Sequence, residues 1–496
     1  MEIQNSEVKV YRAHPLMMWK TIKPYLFILL LPMLRALLQY LHIGQFFPSF
    51  LWFEISFISV ILLFAAVRCI LFRATCDGKT VTIRSGVFFV KMASIDITKL
   101  SSVQTVRNPF DILFGAITFR INTEAGEKTK SDYEFKLKFR DGKELAKILY
   151  GNDTISKQRI SPFKVAILSA ATSSAFTGMI VGVPIIKKAG DLLGIAISEM
   201  LWSEINNVSS KIETSFPPIV NTISLVFLLA YGFSFLYSFF RFLKFKVIMG
   251  ENRLEVRSGF LTKVRTAFNR QSVIDVKVEQ SALMLFLKRF SMKVSVGGFG
   301  DNKSESQVMI PSGKYEEIHH DFSFYFPFLV PNDHKILPQR GFLALTRFLY
   351  WPTVYLLLTL GLSIPLSLRF KDFDRFIFFL TVVSLCLVFF YAYICYIQYK
   401  NCKVSFGDNI YASSKRWLRT CELYCPKERV GQIKLTRVFT DFFYNTCKIR
   451  ISLCSENADS IKLPHYDYTK AKEEIFKCFD IDEKIQLFYT KYQCFT

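Results

Sequence analysis

Six long apolar stretches dominate the sequence, and they occur as three closely spaced pairs. A helix needs about 20 mainly apolar residues to cross the hydrocarbon core of a bilayer, and each stretch is long enough. They are residues 24–41 and 51–72, residues 163–186 and 217–243, and residues 343–368 and 373–396. Because each pair enters and returns, the long polar segments between pairs all lie on one side. The sequence therefore predicts a multi-pass membrane protein with six spans in three helical hairpins.

The position of the charged residues predicts the orientation. The chain has 63 Lys and Arg against 41 Asp and Glu, a formal net charge of +22. Basic residues flank the outer ends of the pairs, whereas the turn within the first pair, residues 42–50, has no charged residue. The positive-inside rule then places the termini and the polar segments in the cytoplasm. There each Lys or Arg gains roughly 1 kcal/mol beside the anionic inner leaflet, so the net charge is explained by the membrane, without nucleic acid as a partner.

The turn within the second pair is longer than the others. Residues 189–213 have an apolar set at helical spacing that includes Leu192, Ile195, Met200 and Leu201. This pattern predicts an amphipathic helix lying on the outer leaflet, and a re-entrant helix is the alternative.

The polar segments contain an internal repeat. Residues 72–103, 245–276 and 402–433 align without a gap, and Arg84-Ser85-Gly86 coincides with Arg257-Ser258-Gly259. Polar and apolar residues alternate in each copy, which is typical of strands, and Ser-Gly marks a hairpin turn. A helical pattern closes each copy. Several short strands and a closing helix predict a small curved sheet or barrel plugged by a helix, and so a membrane α+β protein.

The order of these features resembles the bacterial membrane proteins with pleckstrin-homology (PH) domains, of the YdbS/YdbT type, and three copies match the longer YdbT-like members. The shared pattern is a segment of the form I-x-x-V that ends the third strand of each copy, and it stands as Leu100-Ser101-Ser102-Val103, Val273-Ile274-Asp275-Val276 and Val430-Gly431-Gln432-Ile433. A short apolar segment follows, residues 111–115 in the first copy. The third copy departs at its turn, where Lys415-Arg416 replaces Ser-Gly.

The resemblance implies a PH-like barrel in each copy, a second membrane protein of the same type as a partner, and no established chemistry. The resulting division of the chain is a cytoplasmic N-terminus (1–23), hairpin 1 (24–72), PH-like domain 1 (73–151), hairpin 2 (163–243), PH-like domain 2 (244–326), hairpin 3 (343–399) and PH-like domain 3 (400–480).

No group of residues predicts catalysis, a cofactor or a metal. The six His lack zinc spacing. Cys421, Cys425, Cys447 and Cys454 could be drawn as a four-thiolate site. However, Cys421 and Cys425 align with Val264 and Phe268 of the second copy, which favours free thiols in a strand core. We therefore expect a protein that is not an enzyme.

Two groups of residues are candidates for interaction. A cluster of Lys and Arg near the first hairpin of each copy could face lipid headgroups or form a solvated basic face. Its members are Arg84, Lys91, Arg257, Lys263, Arg265, Lys415, Arg416 and Arg419. The second group is the run of small residues from Ser169, followed by Gly178 and Gly182, which favours close helix packing. A permeation pathway is the alternative for this run.

The leading hypothesis is a non-catalytic protein of the bacterial plasma membrane whose cytoplasmic domains bind a partner protein, one another or the inner lipid surface. The expected partners are the bilayer with its anionic inner leaflet and a second PH-domain membrane protein or another copy of the chain. A transporter or exporter subunit that uses the third span is the alternative. A lipid-modifying enzyme ranks last, because no Asp, His and Ser group lies at the end of a span.

Overall fold

The computed structural model describes the following parts of the chain: residues 9–23, 48–123, 132–151, 154–174, 199–201, 203–205, 207, 218–296, 307–330, 337, 341–369, 374–416, 419–453 and 460–479. The chain divides into two units. The first comprises residues 1–162, 236–272 and 296–303, and the second comprises residues 163–235, 273–295 and 304–496.

The helices and strands follow the alternation of apolar and polar segments in the sequence. The helices are α1 (Met17–Ile22), α2 (Pro48–Leu71), α3 (Pro109–Leu113), α4 (Phe139–Tyr150), α5 (Pro162–Thr172), α6 (Pro218–Phe242), α7 (Ala282–Phe286), α8 (Tyr315–Tyr325), α9 (Gly341–Arg369), α10 (Asp374–Asn401), α11 (Phe439–Tyr444) and α12 (Tyr468–Cys478). The strands are β1 (Lys9–Arg12), β2 (Arg73–Cys76), β3 (Thr80–Ser85), β4 (Lys91–Asp96), β5 (Leu100–Arg107), β6 (Ala116–Thr123), β7 (Tyr133–Lys138), β8 (Ser156–Arg159), β9 (Lys246–Met249), β10 (Arg253–Ser258), β11 (Lys263–Asn269), β12 (Val273–Gln280), β13 (Phe290–Val296), β14 (Gln307–Gly313), β15 (Lys403–Ser405), β16 (Asn409–Arg416), β17 (Arg419–Pro426), β18 (Val430–Thr436), β19 (Thr446–Leu453) and β20 (Ser460–Asp467).

Three of the described helices are long and apolar enough to cross a membrane. They contain Ile223–Phe242 in α6, Leu345–Arg369 in α9 and Ile377–Asn401 in α10. The second predicted span coincides with α2, where Ser59–Leu71 is a shorter apolar stretch, and the third begins with α5. The first predicted span and most of the amphipathic segment 189–213 lie outside the described residues. The described part of the chain therefore has three helices that could span a membrane, while the count of six stays a prediction.

One order of elements occurs three times along the chain. Three strands lead through a short 3-10 turn to a fourth strand, and a short helix, two more strands and a closing helix follow. We call these the first segment (residues 73–150), the second (246–325) and the third (403–478). The predicted closing helices are present as α4, α8 and α12. In the third segment, Arg416 pairs with Arg419, so the hairpin forms although Ser-Gly is missing.

The sheets combine strands from successive segments. The first unit contains a four-stranded sheet, β1-β2-β3-β4, and a seven-stranded sheet, β7-β6-β5-β11-β10-β9-β8. The second unit contains a six-stranded sheet, β14-β13-β12-β17-β16-β15, and a three-stranded sheet, β18-β19-β20. At the junctions between segments, β11 pairs antiparallel with β5, and β12 pairs antiparallel with β17.

This arrangement differs from the expected barrel in each copy. The described sheets are open, and the third and fourth strands of a segment belong to different sheets. The reason is the 3-10 turn between them, Ile97–Lys99 in the first segment and Arg270–Ser272 in the second, which redirects the chain. The fourth strand is therefore available to the segment that follows.

Each unit has its own hydrophobic core. In the first, α4 buries Leu145 and Leu149 against the sheet, beside Phe119 and Phe135, whose rings stack with centroids 5.6 Å apart. In the second, Cys425 and Cys447 are buried among strand residues, and Cys421 packs against the same core. Burial raises the pKa of Cys447 to about 12. The prediction that Cys421 and Cys425 belong to a strand core is confirmed, and Cys447 lies in the same core. Cys454 lies outside the described residues.

We expect Leu145→Ala to destabilise the first unit. The side chain is fully buried, and its truncation leaves a cavity that costs about 3 kcal/mol. The apparent melting temperature of the detergent-solubilised full chain should fall by several degrees. Arg140→Ala, at an exposed position of the same helix, is the matched control. Equal melting temperatures for the two variants would contradict this packing.

A partly buried histidine should make the stability depend on pH. His465 in β20 lies 5.0 Å from the Phe348 ring, and burial lowers its pKa to about 4. The unfolded chain takes up this proton near pH 6.5, the folded chain only near pH 4. The contribution is therefore fully present above pH 6.5 and is lost as the pH falls toward 4, by about 3 kcal/mol in all.

His465→Asn removes this titration and keeps a residue that tolerates the positive φ of 64° at this position. We expect the variant to lose less thermal stability than the parent between pH 7 and pH 4.5. His320→Asn, at an exposed position, should behave as the parent does. An unchanged pH slope in His465→Asn would show that this histidine does not contribute.

Candidate membrane-surface site

Each segment exposes large apolar side chains on the short helix after its fourth strand. Leu113 on α3 is 77% exposed, Phe286 on α7 is 87% exposed and Phe443 on α11 is 75% exposed. Phe110 and Phe442 are exposed beside them. An apolar cluster of this kind marks a surface that contacts a membrane or another protein.

A buried residue on the opposite side holds each short helix in place. Asp111 in α3 accepts hydrogen bonds from the Thr118 hydroxyl at 3.3 Å and from the Lys136 ammonium at 2.6 Å. Asp441 in α11 accepts from the Thr446 hydroxyl at 3.0 Å. Because these carboxylates face the sheet, the apolar side chains of the same turn point outward. The aligned residue of α7, Met284, is buried in the same way.

The short helices lie beside the ends of apolar helices. In the second unit, an Arg347 guanidinium nitrogen near the start of α9 lies 2.9 Å from an Asp441 carboxylate oxygen. The Arg289 guanidinium, just after α7, lies 6.0 Å from the Phe163 ring at the start of α5. Each contact places the exposed aromatic residues of a short helix close to the first turns of an apolar helix.

In the first unit, the link between α2 and α3 runs through His14. The Cys69 thiol near the end of α2 donates to the His14 carbonyl oxygen at 3.5 Å. The side chain of His14 in turn hydrogen-bonds the backbone at Phe114, directly after α3. The short helix of the first segment therefore also lies close to the end of an apolar helix.

The hairpin tips of the first two segments also expose apolar residues. Phe88 is 84% exposed, and its ring stacks on Phe64 of α2 with a centroid distance of 6.2 Å. Phe260 contacts Phe240 of α6 at 6.1 Å. The turns depend on Gly86 and Gly259, which have φ of 130° and 102°; a Cβ there would lie within 2.0 Å of the carbonyl oxygen three residues on.

The structure separates the predicted basic residues into three environments. Arg84, Lys91 and Lys263 are exposed beside the hairpin tips, and Arg419 is exposed on β17. Arg257 and Arg265 lie opposite each other on β10 and β11. Lys415 is buried, and burial lowers its pKa. The backbone of Arg416 pairs with Arg419. Among the described residues, the predicted basic set therefore includes exposed, cleft-lining and buried side chains.

Arg257 and Arg265 line a cleft of about 270 Å³ in the first unit. Glu255 accepts hydrogen bonds from both, and Arg265 binds it with two nitrogens, one of them at 2.8 Å. The Arg265 guanidinium also lies 3.8 Å from the centre of the Tyr150 ring. A carboxylate thus fixes two guanidinium groups at the wall of the cleft.

Three further cations line the same cleft, and the sequence analysis did not single them out. Lys143 and Lys147 are exposed on one side of α4, and Arg253 lies on β10. Arg253 donates to the Leu149 carbonyl, and burial lowers its pKa. The spacing of Lys143 and Lys147 by four residues was the available signal, because it places both on one helix face. With five cations and one carboxylate, the cleft is suited to an anionic group.

The run of small residues forms a helix contact where it is described. Ser169 is fully buried in α5, and the Tyr231 hydroxyl of α6 donates to the Ala170 carbonyl at 2.8 Å. The Ser174 amide donates to the Ser234 hydroxyl at 3.2 Å. These contacts agree with close helix packing. Gly178 and Gly182 lie outside the described residues, so their role stays a prediction.

We expect Glu255→Ala to destabilise the fold, because it leaves the partly buried Arg265 and the more exposed Arg257 without their acceptor. The loss should be roughly 2–3 kcal/mol, seen as a lower melting temperature of the full chain. Glu255→Gln, which keeps one acceptor oxygen and the shape of the side chain, should have a melting temperature between those of the parent and Glu255→Ala. Glu251→Ala, at an exposed position nearby, is the control. If Glu255→Ala melts as the control does, the carboxylate does not organise the cleft.

Comparison with known proteins identifies the family of the β segments. The family model of the bacterial PH domain matches residues 26–152 and 195–319, together just over half of the chain. The two matches contain the strands and closing helix of the first segment and most of the second segment. Neither the curated proteins nor the solved structures contain a match. The chain belongs to the bacterial PH-domain family.

Proposed function

We propose that the chain is a non-catalytic plasma-membrane protein whose PH-like domains act as interaction modules at the cytoplasmic membrane surface. The observation that carries the proposal is the set of exposed apolar side chains beside the ends of apolar helices, with Leu113, Phe286 and Phe443 as examples. In this position the side chains enter the headgroup region of the inner leaflet.

The energetic argument favours lipid over water for these side chains. Removing a Leu or Phe side chain fully from water contributes about 1.5–3 kcal/mol, and Phe442 and Phe443 are adjacent on α11. The exposed Arg84, Lys91 and Lys263 beside the hairpin tips add attraction to anionic headgroups. Both effects hold the domains against the surface to which the helices already tether them.

The proposal includes a third PH-like domain and six spans, as in the longer YdbT-like proteins. The third segment supports it, because its order of strands, 3-10 turn and closing helix is that of the two segments matched by the family model. The three membrane-length helices and the basic flanks support six spans with the domains in the cytoplasm. A transporter subunit is the alternative, although the contact of Tyr231 with Ala170 favours packing over a pathway.

The test places a photoreactive residue at the proposed lipid contact. Phe443 is replaced by benzoylphenylalanine in the full chain, which is reconstituted into nanodiscs of phosphatidylcholine and phosphatidylglycerol and irradiated. We expect lipid adducts on the peptide that contains residue 443, detected by mass spectrometry. The matched control carries the same group at Glu473, an exposed position on α12, and should give few lipid adducts.

Two results would overturn the membrane-surface role. One is equal lipid labelling at positions 443 and 473. The other is labelling at 443 that goes to protein alone, which would make the apolar helix a protein contact.

A further inference from the structure

The strands β4 and β18 each lie at the edge of a sheet, although the corresponding third and fourth strands of the other segments are paired on both sides. Among the described strands, β4 pairs with β3 alone, and β18 pairs with β19 alone. Their side chains are correspondingly exposed: Met92 in β4 is 73% exposed, and no residue of β18 is buried. In β12, which corresponds to β18, seven of eight residues are buried.

The corresponding strands of the other segments show how third and fourth strands pair within the chain. The third strand of the second segment, β11, pairs with the fourth strand of the first, β5. The third strand of the third segment, β17, pairs with the fourth strand of the second, β12. In this series, β4 is the third strand of the first segment, and among the described strands it pairs with β3 alone. Likewise, β18 is the fourth strand of the third segment, and among the described strands it pairs with β19 alone.

The two junctions also have the same register. Ala267 lies opposite Val103 in the first junction, and Tyr424 lies opposite Val276 in the second. In the alignment of the segments, Ala267 corresponds to Tyr424, and Val103 corresponds to Val276. One rule of strand pairing thus describes both junctions, and it can be applied to β4 and β18, the described third and fourth strands that lie at a sheet edge.

We propose that β4 of one copy pairs antiparallel with β18 of a second copy, in the register of the internal junctions. The aligned residues then place Met92 opposite Leu435 and Ser94 opposite Ile433. Backbone groups at the edge of a sheet are a template for such pairing. The proposal rests on the sheet topology and is independent of the lipid contact proposed above.

The sequences of the two edges suit this contact. Edge strands that must stay single are usually protected by Pro, by Lys and other charges or by bulges; β4 has charged residues only at its two ends, and residues 92–95 between them read Met-Ala-Ser-Ile. In the proposed register, exposed Met92 meets the partly exposed Leu435, so both gain an apolar neighbour. Lys91 then lies opposite Thr436 and Ala93 opposite Lys434, so no like charges meet directly. Since the two surfaces differ, the contact is head-to-tail.

The test uses two differently tagged full-length copies that are co-expressed, one with Met92→Cys and the other with Leu435→Cys. Directly opposed residues of an antiparallel pair are close enough for a disulfide. After oxidation in native membranes, we expect a mixed disulfide between the tags, with the joined peptides identified by mass spectrometry. The parent copies measure the background from the native thiols. Ser94→Cys with Ile433→Cys is a second pair in the same register.

The register control combines Met92→Cys with Lys434→Cys. A shift by one residue turns the second side chain to the other face of the sheet, so its crosslink should be weaker by roughly fivefold or more. Equal yields in both registers, or no crosslink above the parent background for either in-register pair, would overturn the proposal. So would a disulfide that forms only within one chain when both cysteines are present in it. Capture of a different protein by Met92→Cys in place of the second copy would also overturn it.

Discussion

Antiparallel backbone pairing between successive segments is the interaction on which the described fold depends. A strand leaves one row of N–H and C=O groups at each edge, and these groups are costly to bury without partners. The fourth strand of the first segment satisfies its outer row with β11, and β12 does so with β17. Successive segments therefore share sheets. The second segment is divided between the two units for the same reason.

The pairing also determines where the polar groups of the first unit meet. Because β11 lies beside β5, Arg265 reaches Tyr150 at the end of α4, and the cleft collects cations from both segments. The short helices use a different device, in which a buried carboxylate such as Asp111 or Asp441 turns the apolar side outward. The buried carboxylates thus determine which side of each short helix faces outward, and the exposed residues on that side are Phe and Leu.

Local patterns in the sequence were sufficient to predict strands, turns and several core residues. Alternation identified β3 and β10, the Ser-Gly pairs marked turns that require Gly86 and Gly259, and alignment placed Cys425 in the core. The partners of the strands were not predictable, because a period of two residues shows which face is buried but not which edge is paired.

Two residues of β12 show the same limit in more detail. Asp275 and Lys277 alternate with apolar residues and read as a solvent-facing set, yet both are buried. Their charged atoms lie 3.3 Å apart. Coverage of both faces of the strand is a property of the assembled sheet, and no local pattern contains it. Likewise, the cleft was missed because its cations come from two segments that are distant in sequence.

The junction between β5 and β11 has a consequence for biosynthesis. Thr105 and Arg265 meet across it although they are 160 residues apart. At a synthesis rate of roughly 5–20 residues per second, β11 is made on the order of ten seconds or more after β5. During that interval α6, which is long and apolar enough to cross a membrane, is synthesised. The backbone groups on this edge of β5 therefore stay without their final partner until β11 follows.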